Sequence, residues 1–137
     1  MSRCLHALPS DAVFQVVLYN RGVETLSGGM RKVTEETLRQ AEVLLAQTQA
    51  EGGTDHEKAF ICALNYRPDA IFLVTDADDL TPAVLKGISR TNHDQVAIHT
   101  IDVGRRRAPC ALLEELAQQN RGTHMRVFAF GSSTWPR

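Results

Sequence analysis

The side chains best placed for chemistry are oxygens at the ends of predicted elements. Thr54 opens a predicted helix, and Asp76 directly follows an apolar run, Ala70-Ile71-Phe72-Leu73-Val74-Thr75. Asp55, Asp78 and Asp79 lie beside them in sequence, and Asp102 ends a second apolar run. Hydroxyl and carboxylate oxygens suit a hard divalent cation such as Mg²⁺, which prefers octahedral oxygen coordination and keeps several waters. The same residues also have purely structural readings. Thr54 with Glu57 three positions on reads as a capping box, which stabilises a helix start by about 1 kcal/mol. Asp78 and Asp79 read as a solvated helix entry before Thr81-Pro82, and Asp102 reads as a loop cap.

Other chemistries have less to stand on. His6, His56, His93, His99 and His124 share no metal-ligand spacing. His56 sits near Thr54 and reads as a surface histidine in a first helical turn. Cys4, Cys62 and Cys110 are widely spaced and odd in number, so they predict neither a zinc site nor a disulfide framework, and a reducing compartment fits best. Cys62 reads as a small buried hydrophobe. Arg105-Arg106-Arg107 reads as a solvated turn rather than a phosphate site. No nucleophile elbow, phosphate-binding glycine loop or Ser/His pairing is present.

The elements that must position these residues alternate between strand-like and helix-like patterns, the mark of an α/β fold. Residues 3–8 read as the end of a helix. Val13–Tyr19 reads as one strand and Val23–Leu26 as a short antiparallel partner across the turn Asn20-Arg21-Gly22. Thr34 begins a helix to about Gln49, with Leu38, Ala41, Leu45 and Thr48 on one stripe, broadened by Leu44. A second helix follows Thr54, burying Ala59, Phe60, Ala63 and Leu64. The uninterrupted run Ala70–Thr75 predicts a parallel strand buried on both faces. Thr81 as N-cap and Pro82 at the first position open a helix to about Arg90. Val96–Ile101 is the next strand, Pro109 opens a helix that Gly122 stops, and His124–Phe130 is the last strand. This order predicts a doubly wound, mostly parallel sheet with helices on both faces, whose ligands sit beyond the carboxyl ends of the strands.

With 137 residues, 43% hydrophobic and 23% charged, the chain fits one globular domain. A net charge of -1 offers no footprint for nucleic acid or a membrane surface. No signal-peptide or membrane-spanning run is present, so the default location is cytoplasmic.

Order and spacing of these pieces resemble the von Willebrand factor type A (vWA) family. Gly52-Gly53-Thr54 before a helix is similar to the family's Gly-Gly-Thr loop, and Ile71-Phe72-Leu73-Val74-Thr75-Asp76 to its strand ending Thr-Asp-Gly. Phe14–Asn20 resembles its second strand, Ile98–Gly104 a later strand and loop, and Leu113–Gly122 a closing helix. The resemblance implies a Rossmann-like fold, a single domain over 1–130 and a metal-ion-dependent adhesion site, and the polar chain end at 131–137 is expected to be a flexible tail. The resemblance maps Thr54 and Asp76 onto two of that site's ligands; Asp55, Asp78 and Asp79, their neighbours in sequence, are expected as partner-binding residues without a family motif requiring them. The sequence departs from the pattern in two ways. No Asp-x-Ser-x-Ser motif occurs, so the first central strand is expected to be missing, and Ala77 replaces the usual glycine after Asp76.

The expectation is therefore a non-enzymatic protein-interaction module with a degenerate adhesion site, binding Mg²⁺ or Mn²⁺ weakly or not at all. Its partner is expected to be another protein, with homo-oligomers through exposed sheet edges as a further outcome. The alternative is a remnant of a vWA protein without a ligand of its own. A metal-assisted hydrolase or a phosphoacceptor centred on Asp76, Asp78 and Asp79 ranks below both. The phosphoacceptor version wants an acidic pair at an earlier strand end, where the chain has Tyr19-Asn20.

Overall fold

The computed structural model describes residues 5–20, 22–47, 55–77, 79–105, 108 and 110–127. Chain contacts divide it into two units, one up to Cys62 and one from Ala63.

In the first unit the run expected as one strand is two. β1 (Val13–Phe14) pairs antiparallel with β4 (Arg31–Lys32), whereas β2 (Val17–Tyr19) pairs antiparallel with β3 (Val23–Thr25). Gln15 makes the break. Its side-chain amide stands in for a peptide group: Oε1 accepts from Leu26 N at 2.9 Å, and Nε2 donates to Leu26 O at 3.0 Å and Gly29 O at 2.7 Å. A buried backbone group without a partner costs about 1–3 kcal/mol, so this amide keeps the interruption inexpensive. The loop between β3 and β4 turns through Gly28 and Gly29, at φ 88° and 72°, conformations open to glycine and strained for other residues.

Helix α1 (Glu35–Gln47) follows. Thr34 caps it reciprocally: Thr37 N donates to Thr34 Oγ1 at 3.1 Å, and Thr34 N donates to Thr37 Oγ1 at 2.9 Å. Glu35 and Glu36 in its first turn favour the helix dipole. Leu38 and Ala41 are buried as the stripe predicts, and they form a core with Phe14 and Leu26. Leu44 packs against that core from its edge. Helix α2 spans His56–Asn65, with Ala59 and Phe60 buried.

The second unit carries a parallel sheet of β5 (Ala70–Thr75), β6 (Ala97–Asp102) and β7 (His124–Arg126), in that order. Registers run from Ala70↔Ala97 to Thr75↔Asp102 and from Thr100↔His124 to Asp102↔Arg126. Helix α3 (Pro82–Thr91) crosses from β5 to β6, and α4 (Ala111–Gln119) crosses from β6 to β7. Thr81 caps α3 through Val84 N at 3.2 Å, with Pro82 in the first turn, as the sequence predicts.

Parallel crossovers are right-handed in nearly all proteins, so two successive crossovers over adjacent strands place their helices on the same face. The buried Leu73, Ile98, Thr100 and Asp102 mark that face, and Thr100 Oγ1 donates to Leu113 O of α4 at 3.0 Å. On the opposite face Phe72 is 64% exposed and Met125 is 60% exposed, while Val74 and Ile101 are half-buried. The expectation that Ala70–Thr75 is buried on both faces is therefore corrected. An apolar run with no alternation does not tell which of its residues meet a helix. Among the described residues, no helix is long and apolar enough to cross a membrane.

The ends of α3 and α4 are locked together. Asn92 and Asn120, the two C-cap residues, are both buried, and Asn92 Nδ2 donates to Asn120 Oδ1 at 2.9 Å. Asn92 also pairs both ways with the backbone of Val96, while Asn120 Nδ2 donates to Leu116 O and Ser89 Oγ. These contacts set where β6 begins and where the chain leaves α4 for β7.

Candidate functional site

The strand-end site begins at β5. Thr75 is buried, and its Oγ1 accepts from Ala77 N at 3.0 Å. That bond folds the chain back immediately after the strand and sets Asp76 on the exposed side of the turn. Ala77 closes the turn at φ 63°, in the left-handed region that glycine reaches without strain. The backbone at this position thus explains why a glycine belongs there, and alanine holds it at a cost of about 1 kcal/mol. Asp79 is exposed in the turn before α3, where Leu80 N donates to Ala77 O at 3.1 Å. Asp78 lies outside the described residues.

In the other unit, Asp55 performs the role expected of Thr54. Its Oδ1 accepts from Lys58 N at 3.0 Å, which makes it the N-cap of α2, and its own N–H donates to Asn20 O at 2.9 Å. The capping box of Thr54 with Glu57 is corrected accordingly: the helix starts at His56, so the cap falls one residue later. Thr54 lies outside the described residues. His56 is buried rather than on the surface. Tyr19 Oη lies 3.2 Å from its Nδ1, and the two rings meet edge-on at 5.5 Å. Sequence reading missed this pair because a histidine's neighbours across a fold leave no trace in local spacing.

At the end of β6, Asp102 is fully buried. Its Oδ1 accepts from Gly104 N at 2.8 Å and its Oδ2 from Cys110 N at 3.2 Å. It clamps both ends of the loop leading into α4, which is the loop-capping role expected of it. Cys110, the N-cap of α4, makes no side-chain cap bond, so the carboxylate of Asp102 serves the helix start instead.

Whether these residues suit a divalent cation follows from their donors. Among the described residues, no three His, Cys, Asp or Glu side chains converge where a metal ion could be held. Asp55 uses a carboxylate oxygen as a helix cap. Asp76 and Asp79 are exposed carboxylates on the turn after β5. Asp55 belongs to one unit, and Asp76 and Asp79 to the other.

A family model for the von Willebrand factor type A domain matches residues 1–125. The chain belongs to the vWA family. Its fold is similar to that of a solved von Willebrand factor type A protein from Catenulispora acidiphila, with a TM-score of 0.75 at 21% identity. That likeness covers 92% of this chain and 32% of the other, so this vWA chain spans about a third of that protein's length. At this identity the match speaks for the fold. No curated protein matches the chain.

Proposed function

We propose that this vWA chain is a protein-interaction module that binds without catalysing, and that it docks its partner on the strand-end rim around Asp76. The observation that carries this reading is the turn after β5. A buried Thr75, bonded to Ala77 N, is followed at once by an exposed carboxylate. Carboxyl ends of parallel strands are where open α/β sheets take their ligands. The vWA family supports an interaction role, and the family resemblance gives Asp76 and Thr54 as its adhesion-site ligands. Asp55, Asp78 and Asp79, their neighbours in sequence, are proposed as further partner-binding residues.

The adhesion site is proposed to be degenerate, with Mg²⁺ or Mn²⁺ bound weakly or not at all. Support comes from the absence of an Asp-x-Ser-x-Ser motif and from the Asp55 oxygen committed to a cap. Thermal-shift titration with Mg²⁺ and Mn²⁺ tests this, since a ligand that binds only the folded chain raises its melting temperature. The expected result is no saturable rise in the low-millimolar range. A saturable rise abolished by Asp76→Ala would overturn the degenerate reading in favour of a working site. The docking surface is tested separately by comparing the chain with Asp76→Lys on an immobilised peptide array. Peptides bound by the former and lost by the latter are expected. If every peptide bound equally to both, the rim around Asp76 would not be the docking surface.

A further inference from the structure

We draw no further inference here: the strongest candidate, the apolar face of the three-stranded parallel sheet where Phe72, stacked on His99 at 4.8 Å, and Met125 stand exposed, carries nothing because no feature of the structure shows what covers it.

Discussion

At position 122 a methyl group would sit 1.7 Å from the carbonyl oxygen of Ile98. Gly122 is therefore needed for close approach of backbone to backbone, and not to end a helix. The helix ends at Gln119, three residues earlier, with Asn120 as its C-cap. Gly122 N donates to Ala117 O at 2.8 Å and Arg121 sits at φ 59°, which together make a Schellman-type C-terminus with arginine in the left-handed position. Two opposite outcomes follow from adjacent residues. Gly122→Ala is expected to cost more than about 3 kcal/mol, because the obstacle is backbone and cannot swing aside. Arg121→Gly is expected to stabilise the chain by about 0.5–1 kcal/mol, since glycine adopts this φ without strain and its greater unfolded-state freedom cancels only part of the gain. Urea denaturation of both variants checks the pair of signs. The sequence marks Gly122 as a stop and so locates the helix end well. It misses the reason, because the clash involves Ile98, which no local pattern connects to it. Asp102 was more legible, since a carboxylate directly after a strand has few roles. Asp102→Ala strips two backbone N–H groups of their partner, and about 2–4 kcal/mol of lost stability is expected in the same assay.

Among the elements, helices were easier to read than strands. Thr34, Thr81 and Pro82 carry capping chemistry within a few residues of the turns they serve, so the starts of α1 and α3 follow from the sequence. The β1/β2 break does not, because Gln15 inside an apolar run looks like an ordinary outward-facing polar residue. Its partners at Leu26 and Gly29 become visible only once the hairpin has closed. β4 was missed for a related reason: Arg31 and Lys32 have no apolar pattern and pair only because Val13 and Phe14 lie opposite. Gln15→Ala is expected to destabilise by about 2 kcal/mol, by leaving the break in the ladder unsatisfied. Hydrogen exchange should then report faster opening at the amide of Leu26 than at the amides of α1. Asn92 and Asn120 provide a second test at this scale. The two single alanine variants and the double variant should give a coupling energy of about 1 kcal/mol or more, because each amide is held by the other. Additive effects would mean that the two caps act independently.

For the molecule as a whole, the α/β class, the parallel order of β5, β6 and β7 and the family were all accessible from the sequence. Strand ends with carboxylates, a Gly-Gly-Thr loop and the spacing between them survive in one dimension. Which sheet face is covered does not survive, because it depends on the hand of two crossovers rather than on the composition of β5. Of the residues singled out, the place of Asp76 directly after β5 was legible in the sequence, whereas the cap of α2 fell on Asp55. Surface substitution on the face opposite the helices separates solubility from stability. Phe72→Lys is expected to leave the unfolding free energy within about 0.5 kcal/mol, since Phe72 is mostly exposed. It should also raise the concentration at which the chain stays monodisperse in light scattering.

The parallel register of β5 on β6 also fixes an order of events in time. Neighbouring strands of a hairpin meet within microseconds, but Ala70 finds Ala97 only after the whole of α3 has been made and folded back. During synthesis β5 leaves the ribosome before its partner exists. For that interval Ala70–Thr75 is an uncharged, apolar segment with unpaired peptide groups, the kind that nascent chains lose to aggregation. Asp69 on one side and Asp76 on the other, both exposed in the finished fold, bracket it with negative charge. The carboxylate proposed to meet a partner in the mature protein thus has an earlier duty, as a guard on a strand that must wait for its neighbour.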